Sequence, residues 1–193
     1  MPRLLIIQAT GYRFRDVRVP YKIRKRKLVG AVLPYLAALA PKEWEVSLID
    51  DAVQEVDYNA PVDAVAITLR TVTSLRAYEI ADHFRRRKIP VLMGGPHASF
   101  HSEEIAGHAD AVCVGEAEGV FPRMLEDAAA GRLKKFYRRD SPANLAGMPA
   151  PRWDLLDFRT FVSTGRSSSS TPAAVLTPAT SARNGASWET TAT

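Results

Sequence analysis

Residues 90–97 read Pro90-Val91-Leu92-Met93-Gly94-Gly95-Pro96-His97, a short apolar run that ends in two glycines and a proline. A run of this length bounded by turn residues reads as a buried strand opening into a loop. The same pattern recurs along the chain. Arg3–Ala9 (RLLIIQA) runs into Thr10-Gly11, Glu45–Asp50 (EVSLID) into Asp51, Asp63–Thr68 (DAVAIT) into Leu69, and Ala111–Val114 into Gly115-Glu116. Between these runs, apolar residues fall on a helical repeat. Val29–Ala40 is stopped by Pro41 and Glu118–Ala130 by Gly131, and a short helix is expected at Ser102–Gly107. Thr73–Lys88 reads as an amphipathic helix with Leu75, Tyr78, Ile80, Ala81 and Phe84 inward and four cations in its last turn, where they complement the helix dipole.

Strands this apolar, alternating with helices, imply a parallel sheet covered on both faces. The expectation is an α/β domain over residues 1–138, doubly wound in the flavodoxin-like or Rossmann-like manner around five parallel strands, with Leu133–Arg138 able to add an edge segment. Residues 139–162 read as a linker or docking segment. From Ser163 to Thr193 the composition changes: 24 of the 31 residues are Ser, Thr, Ala, Gly or Pro, too few apolar groups to bury a core, and a disordered tail is expected.

Composition narrows the function. The single cysteine, Cys113, cannot form an internal disulfide, and one thiolate cannot assemble an iron-sulfur cluster or a thiolate zinc site. The apolar run Leu4–Ile7 is far short of the ~7–15 residues of a signal-peptide core, so a cytoplasmic protein with no membrane span is expected. The formal net charge of +5 is concentrated between Arg13 and Lys27, where eight basic residues face Asp16 alone. That segment reads first as a solvated loop. A nucleic-acid partner is not expected, because neither a recognition helix nor an aromatic stacking platform accompanies the charge.

In a doubly wound sheet the ligand sits outside the carboxyl ends of the strands, so the residues just after each strand are the candidates. The first such turn has one glycine where a dinucleotide fingerprint needs three, and neither Gly94 nor Gly115 leads into the lysine of a phosphate loop. A phospho-receiver would need acids after the first strand, where Gln8 stands. NAD binding, nucleotide hydrolysis and phosphoryl relay are therefore disfavoured. Paired glycines without Cβ atoms let a ligand approach the backbone closely, although the dipeptide alone reads as readily as an ordinary tight turn.

Thr68-Leu69, Gly94-Gly95-Pro96-His97 and Gly115-Glu116-Ala117-Glu118, in this order and followed by Pro151-Arg152-Trp153-Asp154-Leu155-Leu156-Asp157, resemble the cobalamin-binding domain that precedes the catalytic domain of B12-dependent radical SAM proteins. The resemblance covers residues 3 to 137 and continues through the linker. It implies that the nucleotide tail of the corrinoid lies along the strand-end crevice beside Thr68, Leu69, Gly94, Gly95, Pro96 and His97, with Gly115 and Glu116 in the last loop. It also implies that the corrin lies over the strand ends near Thr10, Gly11, Tyr12 and Arg13. The cobalamin domains that hold cobalt through a histidine carry Asp-x-His-x-x-Gly after the first strand, whereas here the segment is Thr10-Gly11-Tyr12-Arg13-Phe14-Arg15. Base-off cobalamin without a protein imidazole on cobalt is expected.

The CxxxCxxC triad of radical SAM chemistry is absent, since no cysteine follows Cys113. The chain is therefore expected to carry no cluster and no catalysis of its own, and to be a truncated or frame-shifted member whose catalytic domain, if any, is a separate partner. The alternative is a small flavodoxin-like domain binding a nucleotide or flavin in a regulatory role. Of the histidines, His83, His101 and His108 read as surface groups, and His97 divides between ligand contact and a loop-stabilising hydrogen bond. Cys113 reads as a buried, inert thiol, and Asp50-Asp51 as hydrogen-bonding groups at a strand end.

Overall fold

The computed structural model describes residues 1–13, 18–28, 30–139 and 147–161. The tail expected from Ser163 onward lies outside them, as do residues 14–17 of the charged segment. Among the described residues the elements run β1 (Arg3–Gln8), α1 (Val32–Leu39), β2 (Glu45–Asp50), β3 (Ala64–Thr68), α2 (Ser74–Arg86), β4 (Val91–Gly94), α3 (Pro96–Phe100), α4 (Ser102–Ala106), β5 (Ala111–Val114), α5 (Phe121–Ala129) and β6 (Phe136–Arg138). The strands form one parallel sheet in the order β2-β1-β3-β4-β5-β6. This is the flavodoxin-like winding, with β6 as a sixth strand where five and an edge segment were expected.

Two helix starts differ from the sequence reading, for one reason. Proline lacks the N–H for an interior helical bond and its ring crowds the carbonyl four residues back, but in a first turn neither penalty applies. Pro34 and Pro122 therefore pull the starts of α1 and α5 forward to Val32 and Phe121. The loop expected at Pro96-His97 is a single helical turn, α3, with Pro96 at its first position.

Alternation along each strand sends side chains to two cores. Leu5, Ile7, Val65, Ile67, Val91, Met93 and Val112 pack under α2, α3 and α4, where Ile80 and Phe84 are fully buried. Burying a side chain of this kind contributes ~1.5–3 kcal/mol, and Phe84→Ala would cost ~3–5 kcal/mol. On the other face Leu4, Ile6, Ala64, Ala66, Leu92 and Cys113 pack under α1 and α5. In α2 the expected inward face is turned at one point: Leu75 is exposed and Arg76 is buried.

The topology opens a gap on the second face. Helix α1 returns the chain from β1 to β2 and α5 from β5 to β6, so each covers its own end of the sheet and the central strands β3 and β4 lie between them. Toward the strand ends the residues facing that gap are small, Ala66 and Thr68 on β3, Gly94 on β4 and Cys113 on β5, with Leu92 of β4 deeper on the same face.

After residue 147 the chain docks back on this unit. Arg152 N–H donates to Pro34 O at 2.8 Å and Leu155 packs against the second core. Two 3-10 turns, Trp153–Leu155 and Phe158–Thr160, then lead to Phe161, which pairs as a parallel bridge with Arg26.

Candidate functional site

The gap between α1 and α5 is a slot of about 260 Å³ whose floor is the sheet and whose mouth is at the carboxyl ends of β3, β4 and β5. It is smaller than the ~300–1,000 Å³ of complete ligand pockets, a size suited to one arm of a large ligand rather than the whole. A larger hollow of about 720 Å³ lies among Arg85, Arg86, Lys88 and Asp110 at the opposite end of the strands. Strand winding gives that end no loop cluster for a ligand, so the smaller slot is the candidate site.

Of the residues singled out from sequence, Thr68, Gly94, Gly95, Pro96 and Gly115 line the slot. The two glycines serve different ends. An added Cβ at Gly94 would stand 3.2 Å from Cys113 Cβ, so its absence leaves the floor open. Gly95 has φ +115°, and a Cβ there would meet Leu69 O at 2.6 Å, which makes it a requirement of the packed loops after β3 and β4. Leu69 itself is buried in the core under α2, its N–H donating to Gly94 O at 3.0 Å.

His97 is placed away from the slot. It is 4% exposed, between Tyr78 Oη at 3.1 Å from Nε2 and Thr71 Oγ1 at 3.2 Å from Nδ1. Tyr78 gives its own proton to Glu104 at 2.9 Å, so Nε2–H donates to Tyr78 and Nδ1 accepts from Thr71, the pattern of a neutral ring. Burial, and secondarily His101, holds its pKa below the ordinary imidazole value. The loop-stabilising role is the one this geometry supports. His108 stacks on Tyr78 with centroids 4.2 Å apart, and His83 lies against Tyr58.

Thr10, Gly11 and Tyr12 form a rim at the strand ends on the α2 side. Thr10 Oγ1 donates to Tyr21 O at 2.9 Å, Gly11 lies against Val72 O, and Tyr12 donates to Glu79. Burial first, then Glu79, pushes the Tyr12 phenol up to about 12. Beneath this rim Asp51 is fully buried and accepts from Arg76 Nε at 3.0 Å and Nη2 at 3.1 Å, from Lys22 Nζ at 3.1 Å and from Thr10 N–H at 3.3 Å. Arg26 grips Asp50 through two bonds of 2.5 and 2.7 Å. Part of the basic segment is thus an anchored strap rather than a solvated loop. Glu116 is exposed at the end of the β5 loop.

The sequence reading missed the slot's helical wall. Tyr35 on α1 donates to Glu118 Oε1 at 2.9 Å across the gap, with Met148 Sδ also 3.6 Å from the hydroxyl. Burial and the Glu118 carboxylate push Tyr35 up to about 12. The same two causes raise the Cys113 thiol to about 12.

A flat aromatic group fits this chemistry. The floor leaves room where a Cβ at Gly94 would intrude, the lining is mainly apolar, and polar groups stand only at Thr68 and the Tyr35–Glu118 pair and in the Cys113 thiol. No cluster of three or more metal-ligating side chains occurs among the described residues, and no helix there is long and apolar enough to cross a membrane.

Comparison with known proteins agrees with this architecture. The profile of the B12 binding domain matches residues 30–125. Bacteriochlorophyllide d C-8(2)-methyltransferase of Chlorobaculum tepidum is 41% identical over 114 residues, 58% of this chain and 25% of that protein. Bacteriochlorophyllide d C-12(1)-methyltransferase of the same organism is 30% identical over 119 residues, 60% of this chain and 26% of that protein. An uncharacterized methyltransferase of a Synechocystis strain is 27% identical over 140 residues, 70% of this chain and 26% of its own length. The chain spans about a quarter of the length of these relatives.

Proposed function

Since residues 30–125 belong to the B12-binding domain family, we propose that this chain is a cobalamin-binding module, with the nucleotide tail in the slot between α1 and α5 and the corrin over the strand ends. The slot carries the reading: a sheet face built from Ala66, Thr68, Gly94 and Cys113 leaves space for one flat group. When bound, the corrinoid supplies a cobalt centre suited to group transfer. The protein's part is to hold it. Thr68 offers a hydroxyl at the mouth, Gly94 keeps the floor open, and the Asp51–Arg76 pair fixes the rim formed by Thr10 to Tyr12.

The cobalt is expected to be base-off and free of protein imidazole. All four histidines lie at or beyond position 83, and His97, the one in a strand-end loop, has both ring nitrogens engaged. The methyltransferase relatives and the resemblance through Pro149–Asp157 support a role as the corrinoid-carrying part of a radical SAM methyltransferase system, the catalytic part being supplied by a separate domain. No catalysis is assigned to these residues alone.

The test is reconstitution of the full chain with cobalamin, followed by visible absorbance and electron paramagnetic resonance of the Co(II) form. A retained corrinoid spectrum without nitrogen splitting from protein histidine is the expected result. Absence of any corrinoid uptake overturns the reading, and uptake of a flavin instead establishes the alternative.

A further inference from the structure

The helical wall of the slot is apolar except at one place, where Tyr35 from α1 and Glu118 from the β5–α5 loop close the gap between the two elements. The Tyr35 hydroxyl has one proton and gives it to Glu118 Oε1. Among the described residues Glu118 Oε2 accepts no side-chain or backbone hydrogen bond and is not a buried orphan, so this half-buried residue of the slot lining keeps a water-facing acceptor. A carboxylate held beside apolar surface costs free energy unless a donor meets it. The floor supplies no bond to it: Ala66 and Gly94 present no polar side chain, the Cys113 thiol is directed to Glu116 O at 3.8 Å, and the Thr68 hydroxyl, at the mouth, makes no hydrogen bond to Glu118.

We propose that the Tyr35–Glu118 pair selects the lower base of the corrinoid, favouring a base that carries an N–H donor, such as an aminopurine, over the donor-free dimethylbenzimidazole of cobalamin. This rests on the corrinoid reading of the slot. A donor on the base satisfies the open oxygen of Glu118, whereas a methylated hydrocarbon edge removes water from that oxygen and returns nothing. A site built to meet a donor rejects the analogue lacking it more strongly than an apolar wall discriminates by size. Tyr35 orients the carboxylate and sets the spacing between α1 and the loop before α5.

The experiment is a calorimetric or spectroscopic titration of the full chain with three corrinoids: the adenine cobamide, cobalamin, and cobinamide, which lacks the nucleotide tail. The parent chain is expected to bind the adenine cobamide about tenfold or more tighter than cobalamin, the ratio that one hydrogen bond to a charged group supplies. Replacing both polar groups, Tyr35→Phe with Glu118→Leu, should remove the preference, so that the two cobamides bind with equal affinity whatever the change in either affinity alone. Equal affinity of the parent for both cobamides overturns the proposal without any variant, as does a preference that survives the double substitution. If none of the three corrinoids binds, the corrinoid reading itself fails.

Discussion

A Cβ on Gly95 would stand 2.6 Å from the carbonyl oxygen of Leu69, while one on Gly94 would meet only Cys113, at 3.2 Å from its Cβ. Neighbouring glycines in one loop therefore answer to different demands, the first to the open slot and the second to the seam between two loops. Gly95→Ala is expected to lower stability by ~1–3 kcal/mol, from strained backbone and the contact with Leu69. Gly94→Val places its methyls on the slot floor and should weaken corrinoid uptake more than it lowers stability. Urea unfolding and corrinoid titration of both variants separate the effects, and equal stability losses would contradict this division.

Arg76 and Asp51 form a buried ion pair whose loss leaves a charge without its main partner. Arg76→Met should destabilise the domain by ~3–5 kcal/mol, the cost of breaking such a pair on one side. Lys22 and Thr10 N–H remain on Asp51, so the lower end of that range is expected. Denaturant unfolding measures it, and a loss under ~1 kcal/mol would show the pair to be energetically idle.

His97 gives the domain a pH dependence. Its folded pKa lies below the ordinary value, so the unfolded chain takes up the proton first and stability falls as pH drops through the ordinary imidazole range of ~6.5. His101, with its ring centroid 4.5 Å away, adds to this on protonation, and Glu104 opposes it. The parent should lose more thermal stability between about pH 7.5 and about pH 5.5 than His97→Gln, which keeps hydrogen-bonding groups but does not titrate. An identical decline in both chains would locate the dependence elsewhere.

The Cys113 thiol, raised to about 12 and 5% exposed, should resist thiol reagents in the folded chain near neutral pH and react readily after unfolding. Rapid labelling of the native protein would mean that the slot floor opens on its own.

The strand runs and the parallel class of the sheet were legible because each run is an uninterrupted apolar segment ending in a turn signal, and a parallel sheet demands that pattern; the strand order was not, since flavodoxin-like and Rossmann-like windings share it. The glycines at 94, 95 and 115 were legible as a strand-end cluster for the same reason. What escaped was set by partners far apart in the chain. Arg76 displaces Leu75 from the inner face because Asp51, 25 residues earlier, waits there. A hydrophobic repeat counts both residues by type and cannot see that pairing. Tyr35 and Glu118 are 83 residues apart, and although Glu118 stands in the strand-end stretch after β5, nothing in the sequence pairs it with Tyr35 until the winding of the sheet sets them across one gap. Position after a strand left His97 open between ligand contact and a loop-stabilising hydrogen bond, and only the turn of α3, which carries its ring to Tyr78, distinguishes the two.

The bridge between Arg26 and Phe161 also defines a load path. Arg26 N–H donates to Thr160 O at 2.7 Å while its guanidinium holds Asp50 at the end of β2. A pull on the polypeptide at Phe161 is therefore carried through the strap to Asp50, the last residue of β2, and so to one edge of the parallel sheet. Through Lys22 and Asp51 the same segment is tied to Thr10, so tension at Phe161 registers at the rim of Thr10 to Tyr12 as well as at β2.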